Sequence, residues 1–259
     1  MGESIVITSG KGGSGKSTVA VNLGAALAAS GRSVVLVDMD MGMRSLDILC
    51  GLENKIVYDL ADVADGLCRV KQAIVKHPSI EGLHLVSAAQ TRGSDAISPA
   101  RSREVMEELK ARFDLVLIDC PAGVGRGFRN AASGADRALI VSLTDPVSLR
   151  DAERVAGLLA RSDILSPALA FNRVLPPKGR GGGNRPLELA DRLGMTLVGV
   201  IPEDASIQVS ITDKRAAHAS SPAVRAIREL SRRLMGEDLP LAGLPREPLI
   251  KRIVRAIVQ

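Results

Sequence analysis

Apolar and polar residues follow two rhythms along this chain. Short runs are apolar at nearly every position: Ile5-Val6-Ile7, Val34-Val35-Leu36-Val37, Leu83-His84-Leu85-Val86 and Leu115-Val116-Leu117-Ile118. Comparable runs fall at 138–143, 168–171 and 197–201. A strand that is apolar throughout is covered on both faces, as in a parallel sheet. Between the runs, apolar residues recur at helical spacing. Leu23 and Leu27 share a face of a helix that stops near Gly31. Ser98 stands where it would cap a helix over 99–112. Further helices are expected over 148–161, 187–193 and 222–235, and two short ones between Tyr58 and Lys76, split near Gly66. Strands alternating with helices predict an α/β fold: a mainly parallel sheet flanked by helices on both faces. In such a fold, ligands bind beyond the carboxyl ends of the strands.

The first of those ends carries the most informative stretch. Gly10-Lys11-Gly12-Gly13-Ser14-Gly15-Lys16-Ser17-Thr18 lies between a strand and a helix and fits G-x-x-x-x-G-K-[ST]. Gly12, Gly13 and Gly15 have no Cβ to block the backbone from curling around phosphate oxygens. The helix that begins near Lys16 aims unpaired N–H groups and its positive dipole end at the same phosphates. Lys16 is placed for the β- and γ-phosphates, and the Ser17 hydroxyl for Mg²⁺. The loop therefore predicts a P-loop NTPase type of sheet with ATP and Mg²⁺ as cofactors. Two further strand ends carry carboxylates: Asp38 and Asp40 in V-D-M-D-M-G, and Asp119 in L-I-D-C-P-A-G. Phosphoryl transfer needs a carboxylate near Mg²⁺ and a group that orients the attacking water, and strand-end aspartates beside a phosphate loop suit both tasks.

Composition narrows the class. The chain has 259 residues, long enough for one large α/β domain with a sizeable core. It has three Phe, one Tyr and no Trp, so that core must be aliphatic. Cys50, Cys68 and Cys120 form no C-x-x-C, which argues against a disulfide framework, an iron–sulfur cluster or a zinc site and points to a reducing cytosol. The chain enters a strand almost at once, so no signal peptide is expected. No run approaches the ~18 apolar residues of a membrane span. The net charge is +5, and residues 246–259 hold three of those charges. The body is nearly neutral, which disfavours a dedicated nucleic-acid binder. Residues 173–185 contain four basic residues and no acid, and read as a solvated surface loop.

The tail is distinct. Residues 244–248 contain two prolines and read as a linker between a domain at 1–243 and an amphipathic helix at 249–259. On a helical wheel Leu249, Ile250, Ile253, Val254, Ile257 and Val258 fill one half, and Lys251, Arg252 and Arg255 the other. A short helix of this kind favours an anionic bilayer surface, weakly and reversibly when alone. Two tails on one dimer would act with avidity gains of ~10²–10⁴.

Several motifs resemble the MinD family within the MinD/ParA group of dimeric ATPases. They are K-G-G-x-G-K-[ST]-T at the loop, D-x-D-x-G-x-R-x-L-D after the second strand and L-I-D-C-P-A-G. G-L-E-N-K-I-V-Y-D-L at 51–60, A-A-Q-T-R at 88–92, V-G-V-I-P-E-D at 198–204 and the tail extend the likeness over essentially the whole chain. The resemblance implies that Lys11 reaches a partner's phosphates across an ATP-held homodimer. It implies that Asp40 positions the hydrolytic water, that Asp38 and Asp119 support Mg²⁺ partly through water, and that Asn172, Arg173, Pro202, Glu203 and Asp204 hold the adenine. It implies an ATPase that sits peripherally on the inner face of the cell membrane and helps place the division site. Its partners would be a division inhibitor and an activator or polar anchor. A ParA-like DNA-partition ATPase, a flagellar-placement relative and a metabolic P-loop enzyme are the alternatives. The chain departs from the family at Ser45 (usually Asn), at Gly125-Arg126 (usually acidic), in a 144–150 segment one residue short, after Arg173, and at 214–220. None of these removes a phosphate or Mg²⁺ ligand.

Overall fold

The computed structural model of the chain describes residues 2–175, 185–207 and 221–241. The expected linker, the amphipathic tail and the departure at 214–220 lie outside the described residues.

The strands are β1 (Glu3–Thr8), β2 (Val34–Asp38), β3 (Val75–Lys76), β4 (Leu83–Val86), β5 (Leu115–Asp119), β6 (Arg137–Ser142), β7 (Ala168–Val174) and β8 (Thr196–Pro202). They form one sheet in the order β3-β4-β2-β5-β1-β6-β7-β8. All neighbours are parallel except β3, an antiparallel edge strand on β4. The helices are α1 (Lys16–Ala29), α2 (Leu46–Leu49), α3 (Leu60–Ala64), α4 (Val70–Ala73), α5 (Pro99–Lys110), α6 (Arg126–Ser133), α7 (Pro146–Ala160), α8 (Arg185–Leu193) and α9 (Pro222–Leu234). No helix among the described residues is long and apolar enough to cross a membrane.

Successive side chains leave a strand on opposite sides, so each central strand feeds two cores. Ile5, Ile7, Val34, Leu36, Leu115 and Leu117 pack with Leu23 and Leu27 of α1 and with Ile227 and Leu230 of α9. Val6, Val35, Val37, Val116 and Ile118 pack on the opposite face with Leu60 of α3, Val105 of α5, Phe128 of α6 and Val155 of α7. Both cores are aliphatic apart from a few phenylalanines, and close packing depends on bare glycines where helix meets sheet. A Cβ on Gly24 of α1 would lie 2.8 Å from Leu36 Cδ2. One on Gly199 of β8 would lie 2.4 Å from Leu230 Cδ1.

Several boundaries differ from the sequence expectation, each for a local reason. α7 starts at Pro146 rather than 148 because Asp145 caps it, accepting from the Val147 and Ser148 N–H groups at 3.1 Å each. Val75 and Lys76 pair with Leu85 and His84 instead of ending a helix. Arg173 and Val174 continue β7 and Arg185 opens α8, so the ends of the expected 173–185 loop are regular structure. α6 went unforeseen because its apolar face is only Phe128, Ala131 and Ala132, in a polar, glycine-containing stretch. The four-residue α2 is too short to show a period. The three cysteines are buried free thiols.

Gly199→Ala tests the close approach of α9. It is expected to lower stability by about 1–3 kcal/mol in urea denaturation through overpacking against Leu230. Combined with Leu230→Ala, the loss should fall short of the sum of the two single changes.

Candidate functional site

The sheet brings the three expected strand ends together. Asp38 and Asp119 are register partners on β2 and β5, and Ile7 of β1 pairs with Asp119 on the other side. Gly10 lies two residues beyond the end of β1. One crevice at the carboxyl edge therefore holds the glycine-rich loop and both aspartates.

Three of the four glycines in the loop have a geometric duty. Gly13 and Gly15 take φ values of 82° and 84°, the left-handed region that glycine enters without strain. Gly10 lets α7 approach, since a Cβ there would sit 2.4 Å from Asp151 Cβ. A Cβ on Gly15 would sit 2.3 Å from Asn172 Nδ2. That amide reaches past the glycine and donates to Ser14 O at 2.8 Å. Asn172 thus buttresses the phosphate loop from β7. Ser14 is buried, Gly12 is exposed, and Ser17 and Thr18 are half-buried on the first turn of α1.

Lys16 and the two aspartates form the electrostatic centre. Lys16 is 6% exposed, and its Nζ lies 2.5 Å from Asp119 Oδ1 and 3.2 Å from Ser17 Oγ. Burial pushes the Asp119 carboxyl up, and the Lys16 ammonium opposes this. Asp119 Oδ2 is buried with no hydrogen-bond partner among the described residues. Asp38 is pinned by backbone: Oδ1 accepts from the Asp40 N–H at 2.9 Å, and Oδ2 from the Ser45 and Leu46 N–H groups at 3.0 Å each. Its carboxyl is nonetheless pushed up to about 7, chiefly by burial and then by Asp119 beside it. Two buried carboxylates, one orphan oxygen and a nearby serine hydroxyl, with one lysine as the cation paired among them, are a donor set suited to a hard divalent cation that keeps water and phosphate ligands. Mg²⁺ fits Ser17, Asp38 and Asp119 on these grounds.

The remaining expected residues surround this centre. Asp40 is half-buried, and its carboxylate has no hydrogen bond or ion pair with the described residues. Its carbonyl closes a turn with the Met43 and Arg44 N–H groups at 3.1 and 3.2 Å. Lys11 is exposed at the rim. Asp145 is held below the usual carboxylate range first by the Ser148 hydroxyl, with a smaller contribution from the Lys11 ammonium. Asn172, Arg173, Pro202, Glu203 and Asp204 gather at the ends of β7 and β8, where Val174 pairs with Pro202 and the Glu203 N–H donates to Val174 O at 3.1 Å. Arg173 takes a positive φ of 54°, and its Nε lies 3.7 Å from Glu203 Oε2. The Asp204 carboxylate is fully engaged elsewhere. It accepts from Ser206, from the Ser221 hydroxyl at 2.6 Å and from the Ala223 N–H at 3.2 Å, which anchors the start of α9 and holds its carboxyl at about 2. The nine expected membrane residues lie outside the described residues.

Two supporting residues escaped the sequence reading. Asp145 could have been found from its D-P-V-S cap pattern. Asp151, which Gly10 admits against the loop, carries no local signal.

A family model described as an AAA domain matches residues 2–161. The septum site-determining protein MinD of Bacillus subtilis (strain 168) is 42% identical over 253 residues, covering 95% of this chain and 94% of that protein. A chain of the MinC:MinD cell division protein complex of Aquifex aeolicus superposes with a TM-score of 0.82 at 37% identity, covering 94% of this chain and 99% of that one. The septum site-determining protein MinD of Pyrococcus horikoshii OT3, complexed with Mg-ADP, superposes with a TM-score of 0.81 at 29% identity, covering 91% and 97%. With a P-loop crevice of this geometry and 42% identity across 95% of its length, the chain belongs to the MinD family of septum site-determining proteins.

Proposed function

We propose that this chain is an ATPase that dimerises on ATP, attaches reversibly to the inner face of the cell membrane and helps place the division site, with hydrolysis releasing it. The observation that carries the reading is the Lys16–Asp119 pair beside Ser17 and Asp38, at the mouth of a loop shaped for phosphates. The Mg-ADP complex of the Pyrococcus relative supports nucleotide with Mg²⁺ as the ligand. The MinC:MinD complex from Aquifex supports a division inhibitor as a partner. An ATPase activator or polar anchor is expected from the family likeness.

The proposed roles draw on the geometry together with the family likeness. Loop N–H groups and the start of α1 receive the phosphates. Lys16, held in place by Asp119, exchanges that carboxylate for phosphate oxygens. Ser17, Asp38 and Asp119 would hold Mg²⁺, which would supply charge neutralisation at the phosphates. Asp40, whose carboxylate has no partner among the described residues, accepts a hydrogen bond from the attacking water. Lys11 stands exposed at the rim, where a second copy of the chain could receive it. Asn172 connects the base end of the site to the loop. The switch reading of the tail rests on its sequence: one weak amphipathic segment binds marginally, and two on one dimer bind by avidity.

Three outcomes test this. Sedimentation with anionic liposomes should retain the chain with ATP and much less with ADP or without nucleotide, and deletion of 249–259 should abolish the ATP-dependent part. Equal binding in all three states would overturn the switch. Lys16→Ala should reduce ATP turnover at least about 100-fold, measured as phosphate release, because it removes the buried cation at the phosphates. The third concerns pH. An unfolded aspartate loses its proton near 3.8, whereas folded Asp38 holds it to about 7. Stability of the nucleotide-free protein therefore falls as pH rises between those values. Mg²⁺ competes with the same proton, so calorimetry should show Mg²⁺-dependent ADP affinity rising about tenfold from pH 6 to pH 8. Asp38→Asn should flatten that dependence.

A further inference from the structure

The A-A-Q-T-R motif at 88–92 has no role in nucleotide binding as described above, yet the segment it opens touches both aspartate-bearing loops. At one end, the Gly42 N–H donates to Ala89 O at 2.9 Å, and the Ala89 N–H lies 3.4 Å from Met41 Sδ. Met41 and Gly42 directly follow Asp40. At the other end, Asn130 of α6 donates from Nδ2 to Ser94 O and to Ile97 O, each at 2.8 Å. Asn130 is 1% exposed. Ser133 Oγ, one turn on, donates to Pro99 O at 3.0 Å.

α6 is in turn seated on the turn that follows Asp119. A Cβ on Gly127 would lie 2.5 Å from Pro121 Cγ and 3.5 Å from Ser94 Cβ, so helix, turn and segment meet at one glycine. Two further bonds fix the segment to α3: the Leu60 N–H donates to Ser87 O at 2.8 Å, and Arg92 Nη1 meets Asp65 Oδ2 at 2.9 Å. A route of contacts thus runs from Asp119 through Pro121, α6 and Asn130 to residues 94–97, and from there along the exposed chain of 90–95, tied down at Arg92, to Ala89, Gly42 and Asp40.

We propose that Asn130 is a positioning residue that couples the Asp119 turn to the Asp40 loop through residues 88–98. The chemistry favours an amide at this place. One neutral nitrogen supplies two donors to two carbonyls three residues apart, which no hydroxyl or carboxylate can do. Both hydrogens are used, at least one of them in a buried bond, so their loss leaves a carbonyl unmet and frees the segment. A shift of the Asp119 turn when nucleotide binds would then be felt at Asp40, although no atom of Asn130 touches it.

This inference rests on Asp40 and Asp119 serving one nucleotide, and its test separates from that reading. Amide hydrogen exchange is measured on the full chain without nucleotide, in wild type, Asn130→Leu and Ser133→Ala. Leucine keeps the volume and removes the donors, and the serine change is a milder cut at the same joint should the first variant unfold. Exchange in peptides covering 40–46 should quicken about fivefold or more in Asn130→Leu and less in Ser133→Ala. ADP affinity should stay within about twofold while kcat for ATP falls about tenfold, the split expected of a positioning group. Faster exchange at 93–98 with 40–46 unchanged would overturn the proposal, as would kcat and affinity falling together with thermal stability. A chain that hydrolyses no ATP would refute the function above, while the exchange experiment would still decide the coupling.

Discussion

Two buried carboxylates lie side by side in register at the carboxyl edge of a parallel sheet, with one lysine paired to one of them. That constraint governs the site. Asp38 and Asp119 cannot both be charged cheaply in such a place, because burial and mutual repulsion each favour the protonated form. Lys16 answers for Asp119 at 2.5 Å. Nothing with a full positive charge lies at such range of Asp38 among the described residues, and burial, then Asp119 beside it, pushes its carboxyl up to about 7. Two buried carboxylates with one paired lysine are the donor set on which the proposed Mg²⁺ site rests.

The rest of the scaffold serves that arrangement. Parallel strands set Asp38 and Asp119 level, because neighbouring strands that run the same way end at the same edge. Backbone N–H groups of residues 40, 45 and 46 wrap the Asp38 carboxylate and so define the course of the loop that carries Asp40. Bare glycines admit what must come close: Asp151 against Gly10, and Asn172 against Gly15. The folding core and the site are therefore one object. Replacing a glycine at either place would move a helix or a buttressing amide as well as the phosphate loop.

How much of this was legible follows the range of the interactions. The phosphate loop, the strand ends and the aspartates are encoded locally, in spacing and apolar runs, and the structure assembles them as read. Asn172 was flagged by likeness as an adenine contact, and its amide is now seen holding Ser14. Asp204 was flagged in the same way, yet its carboxylate is consumed in capping α9. No sequence pattern distinguishes those uses, since each depends on which strand lies next to which. α6 and the seating of Asn130 were invisible for the same reason. An asparagine in a short, predominantly polar stretch acquires meaning only when a distant loop presents two carbonyls to it.

The departures from the family pattern separate into two kinds on the same logic. Asp38 requires a backbone N–H from position 45, and any residue but proline supplies one. Ser45 does so at 3.0 Å and adds a hydroxyl 3.4 Å from that of Ser17, so the change from asparagine leaves the interior requirement met. Arg126 is different. It opens α6 at the positive end of the helix dipole, exposed, with no acid in the first turn to offset it. Nothing in the fold gains from a cation there. Its effect is on the charge the α6 end presents outward, beside the turn that leads from Asp119, while Asn130 on the buried side of the same helix keeps the inward contacts. One short helix thus meets two loop carbonyls through Asn130 on its buried face and presents Arg126 on its exposed face, and the two can change independently because the Arg126 side chain makes no hydrogen bond or ion pair with the described residues.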